Sequence, residues 1–164
     1  MTQSAFTVSP ARSANDIADA TALFRAYAAS LDVDLAYQGF EAEMAAMPGR
    51  YAPPGGELLL ARGIAGEPLG AVGLRAIEPD GCCEMKRLYV TPAARGLGLG
   101  AALVDRVSDA AARIGYSELR LDTLPTMTDA IGLYLRLGFE RMAPYYDTPV
   151  EGTVFLRKRL RSTR

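Results

Sequence analysis

The sequence predicts a mixed α/β (α+β) fold, a mixed and mostly antiparallel central sheet with helices on both faces. Three observations predict it. Apolar residues recur at helical spacing in separate stretches, short apolar runs bounded by turn residues lie between them, and their order is β-α-α-β-β-β-α-β-α-β-β. The 164 residues, 49% apolar and 23% charged, suit one domain spanning 1–164. A chain of this length buries roughly 70% of its unfolded surface, so the fold needs no disulfide or structural metal.

Phe6 to Ser9 is the first strand. Ser13, with Asp16 three residues later, forms a capping-box-like helix start, and Ile17, Ala20, Phe24, Tyr27 and Leu31 then mark one buried helical face. A shorter helix runs from about Phe40 to Met47, where Pro48 and Gly49 stop it. Pro48 to Gly56 is turn-rich and is expected as a surface loop bordering a substrate site. Glu57 to Arg62 is a buried strand, joined through the Gly63 to Glu67 turn to a second strand, Pro68 to Ile77. Cys82 to Val90 is the third, and alternation places Glu84, Lys86, Leu88 and Val90 on one face. Leu99 to Ile114 is a helix ended by Gly115, Leu119 to Thr123 a strand, and Asp129 to Leu137 a helix ended by Gly138. Phe139 to Met142 and Thr153 to Leu160 complete the sheet.

The chain has no histidine, which removes the commonest general base near neutral pH, the usual nucleophile dyads and the commonest metal ligand. Catalysis must then draw on carboxylates, tyrosine, lysine, cysteine or backbone amides. Cys82 and Cys83 are adjacent and point to opposite faces of a strand, so a bridge between them is strained. Without a CxxC pair, no metal centre is expected, and a reducing, cytoplasmic setting is. No apolar run is long enough for a membrane span, and the net charge of −1 speaks against nucleic acid and membrane partners. The basic cluster Arg157, Lys158, Arg159, Arg161 and Arg164 fits a solvated strand end.

The chemical signal is Arg95-Gly96-Leu97-Gly98-Leu99-Gly100, three alternate glycines where a helix begins. Such a loop lets backbone N–H groups approach a phosphate at the positive end of the helix dipole. It can also be scanned as GxGxxA with Asp122 downstream, a dinucleotide fingerprint. The intervening Thr91 to Ala94 and the preceding hairpin argue against that, and no Gly-Lys-Ser/Thr follows for a Walker loop.

Leu88 to Pro92 followed by Arg95 to Gly100 resembles the (Q/R)xxGx(G/A) signature of the GCN5-related N-acetyltransferases, the GNAT superfamily. Ala130 to Phe139 resembles that family's later AxxLYxxxGF motif, in the right order. The two motifs and the strand between them cover Cys82 to Phe139, and the first 80 residues match in element order alone. The resemblance implies the acyl-CoA N-acyltransferase fold and acetyl-CoA as co-substrate. Pyrophosphate would be cradled by Gly96, Leu97, Gly98, Leu99, Gly100 and Ala101, with Arg95 opening the loop. Pantetheine would pair with the main chain of Leu88, Tyr89 and Val90, and an amide near Leu88 would polarise the acetyl carbonyl. The gap between that strand and Leu119 to Thr123 would admit the thioester.

Tyr134 matches the family's general acid. Glu84, eleven residues before Arg95, matches the base of the family's histone acetyltransferases, and Asp122, twelve before Tyr134, that of its ribosomal-protein acetyltransferases. Both stay open as the base, as does a water chain, with Glu84 preferred for its longer reach. Met127 stands where many members carry a CoA-binding asparagine, so that contact would be weakened or would pass to Thr126 or Thr128. Tyr145, Tyr146 and Asp147 are placed either as an acceptor wall or as packing. The implied reaction is acetyl transfer to a primary amine of a small molecule, amino acid or peptide, and homodimers are frequent in the family. The alternative is a non-catalytic acyl-CoA-binding regulatory module.

Overall fold

The computed structural model describes residues 5–161, which leaves Met1 to Ser4 and Arg164 of the basic cluster outside the described residues. Seven strands form one sheet: β1 (Phe6–Pro10), β2 (Glu57–Gly63), β3 (Pro68–Ile77), β4 (Cys82–Val90), β5 (Glu118–Thr123), β6 (Glu140–Arg141) and β7 (Val154–Arg159). The spatial order is β1-β2-β3-β4-β5-β7-β6, and β4–β5 is the single parallel pair in it. The helix α3 (Leu99–Ile114) is the crossover that such a parallel pair requires. The remaining helices are α1 (Ala14–Ala29), α2 (Phe40–Ala45) and α4 (Thr128–Arg136).

The helix ends form as their sequences dictate. Ser13 caps α1 by accepting a hydrogen bond from the Asp16 amide at 3.0 Å. The Asp16 carboxylate turns instead to the Arg12 amide and to Arg62 on β2, tying the helix start to the sheet. Gly115 (φ 114°) lets the chain leave α3 in the left-handed region.

Two apolar layers sandwich the sheet. On one face Leu23 and Phe24 of α1, Phe40 and Met44 of α2, and Tyr51 pack over Leu58, Leu60 and Ala71. On the other, Leu103, Val104 and Val107 of α3 and Tyr134 of α4 pack over Leu59, Leu74, Met85, Leu119 and Leu121. The alternation of Leu58, Leu59 and Leu60 between the two layers explains the continuous apolar run in β2.

Two expectations are corrected. Pro48 to Gly56 reaches the surface at Gly49, Arg50, Pro53 and Pro54, but it is not loop throughout. It holds a 3₁₀ turn, Gly49–Tyr51, whose tyrosine is 1% exposed and stacks its ring edge on Phe24. A Cβ on Gly73 would lie 2.6 Å from that ring, so the bare glycine is what admits it. The segment is held at the β4-entry end of the sheet: Arg50 donates to Ala76 O and Tyr116 to Gly55 O.

The second correction is in β4. Ala71 pairs with Tyr89 but Gly73 pairs with Lys86, so the strand carries an extra residue at Arg87–Leu88. Arg87 has φ 64°, rare for a residue with a side chain. The bulge reverses the alternation. Glu84, Lys86 and Arg87 face the α1/α2 layer, while Leu88 and Val90 pack on the α3 layer, so Glu84 does not share a face with Leu88. The strain at Arg87 is offset by a two-pronged ion pair with Glu43 (3.1 and 3.2 Å) and by the Phe40 ring 5.0 Å from the guanidinium.

Candidate active site

The site begins where a ladder stops. β4 and β5 are paired from Cys82–Glu118 to Glu84–Arg120 and no further, so beyond Glu84 the β5-facing edge of β4 has no strand partner. The bulge at Arg87 lies in this opened stretch. A cleft of about 840 Å³ runs from the opening to the start of α3. Leu88, Tyr89 and Val90 line one wall, and the other is formed by α4 and the turn before it, through Met127, Ala130, Leu133 and Leu137.

The glycine loop forms the end of this cleft. Gly96 (φ 87°) and Gly98 (φ 78°) are both in the left-handed region, and a Cβ on either would meet nothing within 4 Å. Backbone geometry and the open space beside them, not crowding, thus call for glycine. Gly98 is the N-cap of α3 and offers no side-chain cap, so the first amides of the helix point toward the cleft without an acceptor from a capping side chain. Arg95, Gly96, Gly98, Leu99, Gly100 and Ala101 line it, whereas Leu97 is 49% exposed and does not. Arg136 of α4 adds a second cationic group. Thr91, between β4 and the loop, buries a hydroxyl with no hydrogen-bond partner among the described residues. Met127, Thr126 and Thr128 all line the cleft at the start of α4. This donor set, with open left-handed glycines, an uncapped helix start, two arginines and a free strand edge, fits a long phosphorylated thioester carrier.

The two carboxylates proposed as base occupy different surroundings on the same face. Glu84 is 2% exposed. Its Oε1 accepts from Arg75 at 2.9 and 3.0 Å and its Oε2 from the Tyr145 hydroxyl at 2.5 Å, so both oxygens are taken. It lines neither the cleft nor the smaller cavity beside it. Asp122 lies two residues past the last β4–β5 pair, inside the opening. Its Oδ2 accepts from Tyr146 at 2.7 Å, and its Oδ1 faces the Lys86 ammonium across the gap at 3.5 Å. Tyr145 and Tyr146 pack edge-on against Phe155 of β7, which aims both hydroxyls at the carboxylates. Burial and the facing carboxylates push both phenols up, so they stay protonated donors.

Tyr134 is 5% exposed, its ring tilted on Phe139 at 5.7 Å. Burial, then the nearby Tyr27 and Asp122, push its hydroxyl well above the ordinary value. The same desolvation carries Tyr27 up to about 12, which Arg87 opposes. Tyr27 of α1 lines both the cleft and the smaller cavity, a place its helical spacing gave no sign of. Burial raises both thiols, Cys83 the more, which disfavours the thiolate that a nucleophile needs. No group of three potential metal ligands occurs among the described residues, and no helix among them is long and apolar enough to cross a membrane.

The Acetyltransferase (GNAT) family model matches residues 21–139. An N-acetyltransferase of Schizosaccharomyces pombe is 38% identical over 157 residues, covering 96% of each chain. N-acetylaspartate synthetase of Rattus norvegicus is 34% identical over 118 residues, which is 71% of this chain and 40% of that one. Among solved structures, a phosphinothricin acetyltransferase from Sinorhizobium meliloti in complex with AcCoA superposes with a TM-score of 0.69 at 19% identity, over 95% of this chain and 89% of that one. Opened β4–β5 ladder, glycine loop and matched sequence coincide in one stretch of the chain, and the chain belongs to the GNAT acetyltransferase family, as an acyltransferase enzyme.

Proposed function

We propose that the protein, as one catalytic domain, transfers the acetyl group of acetyl-CoA directly to a primary amine of a small molecule, amino acid or peptide. The observation that carries this is the opening of the β4–β5 ladder at Glu84–Arg120, with Asp122 two residues beyond it and the glycine loop at the far end of the cleft. Acetyl-CoA supplies an acyl carbon activated by a thiol leaving group. Gly96 and the uncapped amides of α3 bind its phosphates, and the unpaired edge of Leu88 to Val90 holds the pantetheine by strand addition. A main-chain N–H at the bulge donates to the acetyl oxygen as charge develops on it.

The amine must lose one proton and the departing thiolate must be stabilised. Asp122 is the better-placed acceptor, since Glu84 has both oxygens engaged. Tyr134 is a donor to the sulfur. Because burial raises its pKa, it stabilises the thiolate chiefly as a hydrogen-bond donor. The cysteines, both free and buried, support a cytoplasmic setting.

The test is release of thiol from acetyl-CoA in the presence of a panel of amines, with the N-acetyl product identified by mass. One thiol per acetylated amine is expected. CoA binding without turnover on any amine would overturn the reading.

A further inference from the structure

Beside the cleft is a small cavity of about 30 Å³, above the roughly 10–15 Å³ that one water needs on the same measure, lined by Lys86, Asp122, Gln38, Tyr37 and Tyr27 among others. Lys86 is 7% exposed, and its ammonium has no partner at a normal charge-assisted distance: Gln38 Oε1 is at 3.4 Å and Asp122 Oδ1 at 3.5 Å. Its neighbour Arg87 is in the opposite state. Arg87 forks onto Glu43 and donates to the same Gln38 oxygen at 2.6 Å, so the amide is already committed. Lys86 is thus a desolvated cation that holds spare donors toward a cavity in the opening between β4 and β5. Desolvating an ammonium whose one carboxylate partner stands as far as 3.5 Å is costly.

We propose that Lys86 is a specificity-determining residue that binds the carboxylate of the acceptor, and that the acceptor is a free α-amino acid. The inference rests on the acetyltransferase reading above and names its substrate class. An α-amino acid carries its amine and carboxylate on adjacent carbons, and the Lys86 ammonium and Asp122 Oδ1 stand 3.5 Å apart, so one small zwitterion can meet both groups side by side. A carboxylate at Lys86 gives the ammonium the close acceptor it lacks and leaves the amine beside Asp122, toward the thioester. A peptide N-terminus has an amide where this site places a charge, so it would leave Lys86 unpaired.

The experiment compares free α-amino acids with their α-carboxamides as acceptors for the wild-type enzyme and for Lys86→Met. The carboxamide's amine is the less basic, so more of it is unprotonated at neutral pH, and a preference for the acid cannot arise from proton availability. The expected result is kcat/KM higher for the best amino acid than for its amide by roughly 10- to 100-fold, the range of a hydrogen bond to a charged group. In Lys86→Met that ratio falls to about one. Equal or better use of the amides by wild type would overturn the inference and leave the acetyltransferase reading standing. So would a Lys86→Met enzyme that loses both acceptors in proportion, since that marks a structural ion pair. A second arm is independent of turnover: N-acetylated amino acids, but not their amides, should raise the melting temperature of the wild-type protein with CoA. No such difference would overturn the inference. Absence of thiol release with every amine, beside this selective binding, would sink the activity but keep the site.

Discussion

The Tyr145 hydroxyl donates to Glu84 Oε2 at 2.5 Å, on the opposite side of the carboxylate from Arg75. A carboxylate 2% exposed and held at both oxygens is a structural ion pair joining β3, β4 and the segment before β7. Glu84→Gln leaves the Arg75 guanidinium facing a neutral amide, and removing one partner of a buried pair costs about 3–5 kcal/mol. The expected outcome is a midpoint loss of that order in urea unfolding, with thiol release per folded molecule little changed. A rate loss much larger than the loss of folded protein would return Glu84 to the role of base.

Tyr134→Phe keeps the ring that packs on Phe139 and removes the hydroxyl. General acid–base groups contribute typically 10²–10⁴-fold, and a donor that only stabilises the thiolate belongs at the lower end. The variant should lose on the order of 10² in kcat with CoA affinity preserved. Because burial holds Tyr134 protonated, the wild-type rate should show no alkaline fall near the ordinary tyrosine value. A fall there that disappears in the phenylalanine variant would contradict this.

Gly98→Ala tests the loop. At φ 78° an added Cβ meets no protein atom within 4 Å, so the stability cost is that of the left-handed backbone, about 1–2 kcal/mol. The methyl group projects where a phosphate would approach, and CoA affinity should drop at least about tenfold, beyond what the stability change explains. Calorimetric titration with CoA measures it, and unchanged affinity would remove the phosphate from this loop.

Tyr27 has its pKa raised from 10.0 to about 12 by burial, against the opposing Arg87. In the unfolded chain the phenol ionises first, so the folded state holds more protons between these values. Its contribution to stability is complete below the unfolded value and is lost as pH rises from about 10 to about 12, at about 1.4 kcal/mol per pH unit. Tyr51, Tyr134, Tyr145 and Tyr146 are shifted in the same direction and should steepen the loss. Melting temperatures across this range should fall sharply from about pH 10, and Tyr27→Phe should flatten the fall. A melting temperature independent of pH there would refute it.

Local chemistry made the helices, strands and glycine loop legible in the sequence. Ser13, Gly115 and Gly138 mark ends through backbone conformations that depend on near neighbours, and the glycine spacing at Gly96 to Gly100 expresses a backbone need wherever the chain lies. Alternation failed in β4 because Arg87 takes a left-handed conformation that no neighbouring residue requires. It is held by Glu43 and Phe40, which come from another element. Pro48 to Gly56 looked like a surface loop because turn residues surround Tyr51. Its burial depends on the missing side chain of Gly73 on a distant strand.

The sequence by itself determined the family of folds, the glycine loop at the start of α3 and the short set of carboxylates and tyrosines proposed to move protons without histidine. Only the tertiary structure decided what surrounds each of them. Whether a carboxylate is free to act depends on what surrounds it, and the groups that close Glu84, Arg75 and Tyr145, are brought by β3 and by the segment before β7. The groups that leave Asp122 and Lys86 loosely paired lie on two strands whose ladder ends at Glu84 and Arg120. Desolvation and distance act through space, and their partners here are 9 to 61 residues apart along the chain.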